Sequence, residues 1–388
     1  MELKMNLSLP MALLLGLGAA SVAHAQQAVD KIVLSDKNKD MGVRTMEMVA
    51  GDGELCIVGH YYDTDGPKSY ARIVMVDLRK NKISWQHTIA APEDNHGSKF
   101  VACRVKGDAV YATANVDSSQ AESMNFSTAY VYKFDRNGKQ LGYKPVPVPG
   151  SDAWAYTTDA GDDELKVLGL MRERDEKNEY YSIFVAKFDE KILFEKPVIY
   201  KSGAYSPGSA VKVSGKDAYF AGNFTAYKMP IDDVPADYAN SKVRLGGAYA
   251  WSVRPQHTKP GNIASVISDA GTIHAVGFKA YDSSASYFTA VDRSGKVISD
   301  VEYKSEFCKT SSLTVDGNML YMIREACNAN NKKPALVSFN VDQAKETRIK
   351  EISGTPLFVF AKSDRIYLVS KEKDGSVVLR NSSARELK

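Results

Sequence analysis

Five histidines beyond residue 25, His60, His87, His96, His257 and His274, are the side chains best suited to proton transfer or metal binding near neutral pH. None stands in a doublet with metal-ligand spacing, and no Gly-x-Ser-x-Gly run places a serine on a nucleophile elbow. Gly51-Asp52-Gly53 has the glycine spacing of a phosphate loop, but it reads as a hairpin with no helix after it, which rejects a dinucleotide role. His60 with Asp63 and Asp65, or Arg172 with Arg174, are groups that a fold assembling its site from distant segments could join. No catalytic residue, metal site or cofactor is assigned on these patterns.

The four cysteines carry a clearer message. An even number in an exported chain implies two bridges. Cys308 lies eight residues before Asp316 and Cys327 nine after Asn318, so a regular hairpin turning at Asp316-Gly317-Asn318 sets them face to face. Cys56 falls on the second strand of one repeat and Cys103 on the first strand of the next, so their bridge staples neighbouring repeats. Unpaired buried thiols are the alternative; zinc is disfavoured because no Cys-x-x-Cys occurs.

Residues 1–25 read as a secretory signal peptide: Lys4 near a positive terminus, an apolar run from Leu7 to Val22, and the small-x-small site Ala23-His24-Ala25. The unbroken apolar run is shorter than the ~20 residues a membrane span needs, and no later stretch is long enough either. The expectation is an exported protein, periplasmic in the first instance and secreted in the second. A formal charge of +3, dispersed along the chain, argues against nucleic acid as a partner.

The elements that position these residues follow from a repeat. A tight turn followed by a short apolar strand recurs at Gly51, Gly107, Gly161, Gly215, Gly271, Gly317 and Ser363, opening ELCIVGH, AVYATAN, ELKVLGL, AYFAGNF, TIHAVGF, MLYMIRE and RIYLVSK. The intervals of 56, 54, 54, 56, 46 and 46 residues match a propeller blade and not a helical repeat. A second hairpin follows in each repeat, and Asp77, Asp135, Asp189 and Asp292 end strands at its turn, where they serve chain reversal. The last repeat offers only three strands, while Lys31 to Leu34 belongs to no other. Laying that segment beside Ser376 to Asn381 completes the sheet and removes a bare edge. The predicted fold is therefore all-β, a single seven-bladed β-propeller over residues 26–388, closed by an N-terminal strand that completes the last blade. The fourth repeat is the irregular one, its strand count open after Phe224.

Gly107 to Ala114 with Ala129 to Lys139, Ser214 to Gly222, and Tyr287 to Lys296 resemble the repeats of bacterial seven-bladed propellers of the SBBP kind, whose pattern is G-x-x-Y-V-x-G followed by A-F-V-x-K-x-D-x-x-G. The resemblance implies a scaffold and assigns no activity.

In such a blade the tight turns share one rim and the longer connections the other, where recognition concentrates. The longest connection is 225–245. Tyr227, Met229 and Tyr238 supply contact area, Asp232 and Asp233 charge, and Pro230 and Pro235 stiffness, a composition suited to docking a protein. A surface excursion folded on its own blade is the alternative. Trp154, Tyr156, Tyr205 and Trp251 are candidates to line the channel mouth, with blade-to-blade packing as the competing role. The leading expectation is a binding or scaffold protein with a partner in the cell envelope. The alternatives are an enzyme acting on a glycan, peptide or small molecule at the channel mouth, and a propeller subunit of a redox complex.

Overall fold

The computed structural model describes residues 30–384 apart from 36–38, 50–52, 64–67, 93–94, 119–125, 150–151, 161–163, 175–178, 205–209, 215–216, 224–237, 245–248, 254–262, 279–284, 328–333 and 350–353. It describes backbone alone at 30, 39–40, 63, 173–174, 179–181, 200–204, 214, 217, 220, 222–223, 238–244, 249–253 and 348. The expected signal peptide lies outside the described residues.

Among the described residues the chain is all strand and turn, and its strands form seven four-stranded antiparallel sheets. The first holds β2 (Lys39–Val49), β3 (Glu54–Asp63), β4 (Ser69–Asp77) and β5 (Lys82–Ile89). The second holds β6 (Gly97–Lys106), β7 (Ala109–Asp117), β8 (Ser127–Asp135) and β9 (Gln140–Pro145). The third holds β10 (Ala153–Ala160), β11 (Leu165–Arg174), β12 (Glu179–Phe188) and β13 (Val198–Ala204). The fourth holds β14 (Ala210–Ser214), β15 (Asp217–Asn223), β16 (Tyr238–Arg244) and β17 (Tyr249–Val253). The fifth holds β18 (Ile263–Ile267), β19 (Ile273–Phe278), β20 (Ala285–Val291) and β21 (Val297–Lys304). The sixth holds β22 (Phe307–Asp316), β23 (Met319–Ala326), β24 (Ala335–Asn340) and β25 (Lys345–Arg348). In the seventh, β26 (Thr355–Lys362), β27 (Arg365–Lys371) and β28 (Val377–Ser383) are followed on the outside by β1 (Asp30–Ser35), paired antiparallel to β28 from Asp30↔Asn381 to Ser35↔Val377.

Two points differ from the sequence reading. Tyr238 to Arg244, read as part of a long loop, is strand β16, so the fourth sheet has its full complement and the connection before it shrinks to 224–237. In the first sheet the turn glycine with left-handed backbone is Gly53 (φ 64°), two residues beyond Gly51. Gly107, Gly271 and Gly317 also have positive φ, a conformation that costs glycine little. Ser363 and Asp364 take the same region without that freedom.

The second strands β3, β7, β19 and β27 are buried almost throughout, which explains their continuous apolar runs: both faces meet a neighbouring sheet. Apolar clusters fill the spaces between successive sheets. Val58 and Phe100 belong to the cluster joining the first and second sheets, Tyr111 and Phe184 to that of the second and third, and Leu168 and Ala218 to that of the third and fourth. Tyr219 and Ile273 join the fourth and fifth, Phe288 and Phe339 the fifth and sixth, and Ile323 and Val359 the sixth and seventh. Leu34, Leu55 and Val369 join the seventh to the first. The first strands of successive sheets also approach one another, and β26 approaches β2. Cys56 is bonded to Cys103 between the first and second sheets, and Cys308 to Cys327 across the β22/β23 hairpin, the two pairings the spacing predicts.

Candidate functional site

Antiparallel order sends the β2/β3-type and β4/β5-type turns to one edge of each sheet and the remaining connections to the other. At the turn edge the aspartates serve their own backbone. Asp135 Oδ1 accepts from the Asn137 and Lys139 amides at 2.9 and 2.8 Å, and Asp189 Oδ1 from Lys191 and Leu193 at 2.8 and 2.7 Å. Asp292 repeats the arrangement with the Ser294 and Lys296 amides, and Asp77 Oδ1 accepts from those of Arg79 and Lys80. Hydrogen bonds, led by the Lys80 amide at Asp77 and the Ser294 hydroxyl at Asp292, hold these carboxyls below the usual range. Carboxylates so engaged are turn-forming groups.

At the opposite edge the first strands share a deformation that the sequence reading did not anticipate. In β2, β6, β10, β22 and β26 the register with the second strand slips by a residue: after Val43, Phe100, Ala155, Thr310 and Pro356. Each slip is a bulge, which bends the strand and swings its carbonyls. Opposite it, the second strands carry Gly59, Ala114, Gly169, Arg324 and Ser370. A Cβ on Gly59 would stand 2.0 Å from the Gly42 carbonyl oxygen, and one on Gly169 2.1 Å from that of Trp154. Small residues there allow the bulged strand to close down.

Arg324 is the exception, and it is wholly buried. The first strand makes room with a second slip, between Phe307 and Thr310. The guanidinium then spans two sheets. Its Nη1 donates to Tyr303 Oη and Ser305 Oγ, both at 3.2 Å, and pairs with the Glu346 carboxylate. Its Nη2 donates to Ser286 Oγ at 3.0 Å and to the carbonyls of Phe307 and Cys308 at 3.1 and 2.7 Å. Tyr303 also donates to Glu346 at 3.0 Å, and burial pushes its phenol upward. The constellation of Arg, Glu, Tyr and Ser resembles catalytic machinery, but its groups bind one another and join the fifth and sixth sheets. A signal was present in the sequence: an arginine at the place where the other second strands carry glycine, alanine or serine.

A second polar joint lies between the second and third sheets. Asp152 Oδ1 accepts the Ser127 amide at 2.9 Å, the Arg172 guanidinium stands 2.5 Å from Oδ2, and Ser127 Oγ donates to Asp117 at 2.7 Å. Between the first and second sheets Ser98 does the same work, accepting the Ala71 amide and donating to the Ile89 carbonyl.

Of the sequence-predicted binding residues, Trp154 and Tyr156 share β10 and border the cluster of Leu168, Ile183 and Ala218 between the third and fourth sheets. That is the packing role weighed against the channel mouth. Trp251 belongs to β17, the outermost strand of its sheet, which separates it from the inner edge where a channel mouth would be. Tyr238 opens β16. Tyr205, Tyr227, Met229, Asp232 and Asp233 lie outside the described residues.

Among solved structures, the β-propeller domain of the Trilobed protease from Pyrococcus furiosus is similar at TM-score 0.52 and 9% identity, over 88% of this chain and 95% of that one. The WD40 β-propeller domain of Doa1 is similar at TM-score 0.51 and 10% identity, over 91% and 96%. An acylaminoacyl peptidase complexed with Z-Gly-Gly-Phe-chloromethyl ketone gives TM-score 0.51 and 11% identity, over 88% and 52%. The chain spans about half the length of the acylaminoacyl peptidases it matches. No family model matches the chain, and no curated protein matches it in sequence. Identities this low speak to fold, and the fold is that of a β-propeller.

Proposed function

We propose that the chain is an exported, closed seven-bladed propeller of SBBP-like repeats that binds a protein of the cell envelope through its loop-rich rim. The observation that carries the reading is the asymmetry of the sheet edges. One edge carries the short turns, where among the described residues Asp77, Asp135, Asp189 and Asp292 bond their own backbone; the other carries the long connections, 224–237 and 254–262 among them. Long connections on a rigid scaffold are the usual place for recognition. Seven four-stranded sheets, an apolar cluster between the seventh and first, and β1 lying beside β28 support closure. The Pyrococcus furiosus propeller is described as having an open velcro topology, so the β1–β28 pairing is a specific point of contrast. Two bridged cysteine pairs support residence in an oxidising compartment, the periplasm first and the extracellular space second.

The test is affinity capture from a periplasmic extract, comparing the intact chain with a variant shortened within 225–236, which leaves β16 whole. Loss of one partner on shortening is expected. Equal recovery removes the assigned connection from the binding surface. N-terminal sequencing of the protein recovered from that fraction is expected to begin at Gln26.

A further inference from the structure

The two disulfides occupy unlike surroundings. Cys56 and Cys103 are sealed in the cluster between the first and second sheets, at 0% and 1% exposure. Cys327 is partly exposed and stands at the start of the 327–334 connection, on the loop-rich edge of the sixth sheet. Its partner Cys308 is buried beside it. A thiolate must approach a disulfide sulfur along the S–S axis, so access decides which bridge exchanges. Only the Cys308–Cys327 bridge offers a cysteine near water.

The strand that this bridge holds is also the most deformed of the first strands. Between Phe307 and Ser312, β22 slips twice against β23, leaving few ladder bonds to fix it. Arg324, directly beneath, holds the Phe307 and Cys308 carbonyls and the neighbouring sheet through contacts that do not involve the sulfurs. Cutting the bridge therefore loosens the rim while the joint between the fifth and sixth sheets stays made.

We propose that Cys308–Cys327 is a reversible thiol–disulfide exchange site at the loop-rich rim, and that Cys56–Cys103 is a permanent staple. The co-reactant is a dithiol. Its thiolate attacks the Cys327 sulfur, the S–S bond breaks, and the Cys308 sulfur leaves as a thiolate that takes a proton. The second thiol of the reagent then closes on the mixed disulfide, releasing Cys327 as a thiol. The protein gains two electrons and two protons, and the reagent ends as its own disulfide. This inference stands apart from the identity of any partner at the rim.

The experiment is graded reduction of the full chain by dithiothreitol without denaturant, with alkylation and mass mapping of each cysteine, followed by amide hydrogen exchange. Cys308 and Cys327 are expected to label at least tenfold faster than Cys56 and Cys103. Exchange is expected to rise at 306–312 and 324–327 and to stay unchanged in β3 and β6. Simultaneous opening of both bridges, earlier opening of Cys56–Cys103, or reduction without any change in exchange each overturns the proposal. A Cys308→Ser/Cys327→Ser variant must fold and reproduce the exchange pattern of the reduced protein; a variant that fails to fold shows a structural staple and overturns it equally.

Discussion

Lys362, the last residue of β26, and Asp269, in the turn between β18 and β19, form an ion pair although 93 residues separate them. The other oxygen of the same carboxylate takes Lys212 from β14. One side chain thus links the first strands of the fourth and seventh sheets through a turn of the fifth. Such a contact is what the proposed closed propeller requires, with its first strands grouped about one axis. The two lysines, Lys212 foremost, hold the Asp269 carboxyl down to about 2.

Asp269 is largely exposed, so the pair is screened and contributes about 1 kcal/mol or less. Asp269→Asn is expected to lower the melting temperature by about 1–2 °C at low salt and by nothing measurable near 1 M salt. Because the folded pKa lies below the unfolded one, the contribution is complete above about pH 4 and fades as pH falls toward 2. A salt-independent loss would assign Asp269 a packing role instead.

His274 occupies the place that Tyr111, Tyr219, Tyr321 and Tyr367 hold in other second strands, each opposite the first strand of its own sheet. It is buried and stacked on Phe288, and desolvation alone brings its pKa down to about 4. Above about pH 6.5 the imidazole is neutral in both folded and unfolded chains. Between there and pH 4 only the unfolded chain takes the proton, so stability falls as pH falls, by up to about 3 kcal/mol. Denaturant unfolding of His274→Tyr is expected to show a flatter profile across that window. A variant with the same slope as the wild type would remove His274 as the cause.

Much of this architecture was legible because it is local. A turn glycine followed by a doubly buried strand repeats its own signature, and cysteine spacing around one hairpin fixes a partner. What stayed hidden depends on contacts between sheets. YANSKVR lacks the apolar alternation of a strand, yet forms β16 because β15 and β17 supply its hydrogen bonds. Trp251 reads as a ligand-clamping aromatic and lies in an outermost strand, since sequence does not say which strand faces the axis. The bulges are equally silent, apart from the glycines at 59 and 169.

Those two glycines make the bulges testable. Alanine at 59 or 169 would force its methyl against a first-strand carbonyl, and overpacking of this kind costs about 1–3 kcal/mol or more. Gly142→Ala in β9 is the control, because nothing stands within 4 Å of the added carbon. Unfolding free energies from urea titration are expected to fall for the first two and to change by less than about 0.5 kcal/mol for the third. Equal midpoints for all three would contradict the close approach.

Arg324 offers the sharpest test of whether the polar joint is structural. Its guanidinium is fully buried and paired with Glu346, itself nearly buried. Removing one partner of such a pair leaves the other charge without compensation, at about 3–5 kcal/mol, so Arg324→Ala is expected to lose that much in urea unfolding. Lysine keeps the charge but cannot reproduce a planar fork reaching Tyr303, Ser286 and two carbonyls together, so Arg324→Lys is expected to recover less than half of the loss. Neutralising both ends, in Arg324→Met with Glu346→Gln, is expected to be more stable than Arg324→Ala, because no buried charge then stands alone. If Arg324→Ala unfolds within about 1 kcal/mol of the wild type, the joint holds nothing together, and the arginine opposite a doubled bulge needs a reason other than stability.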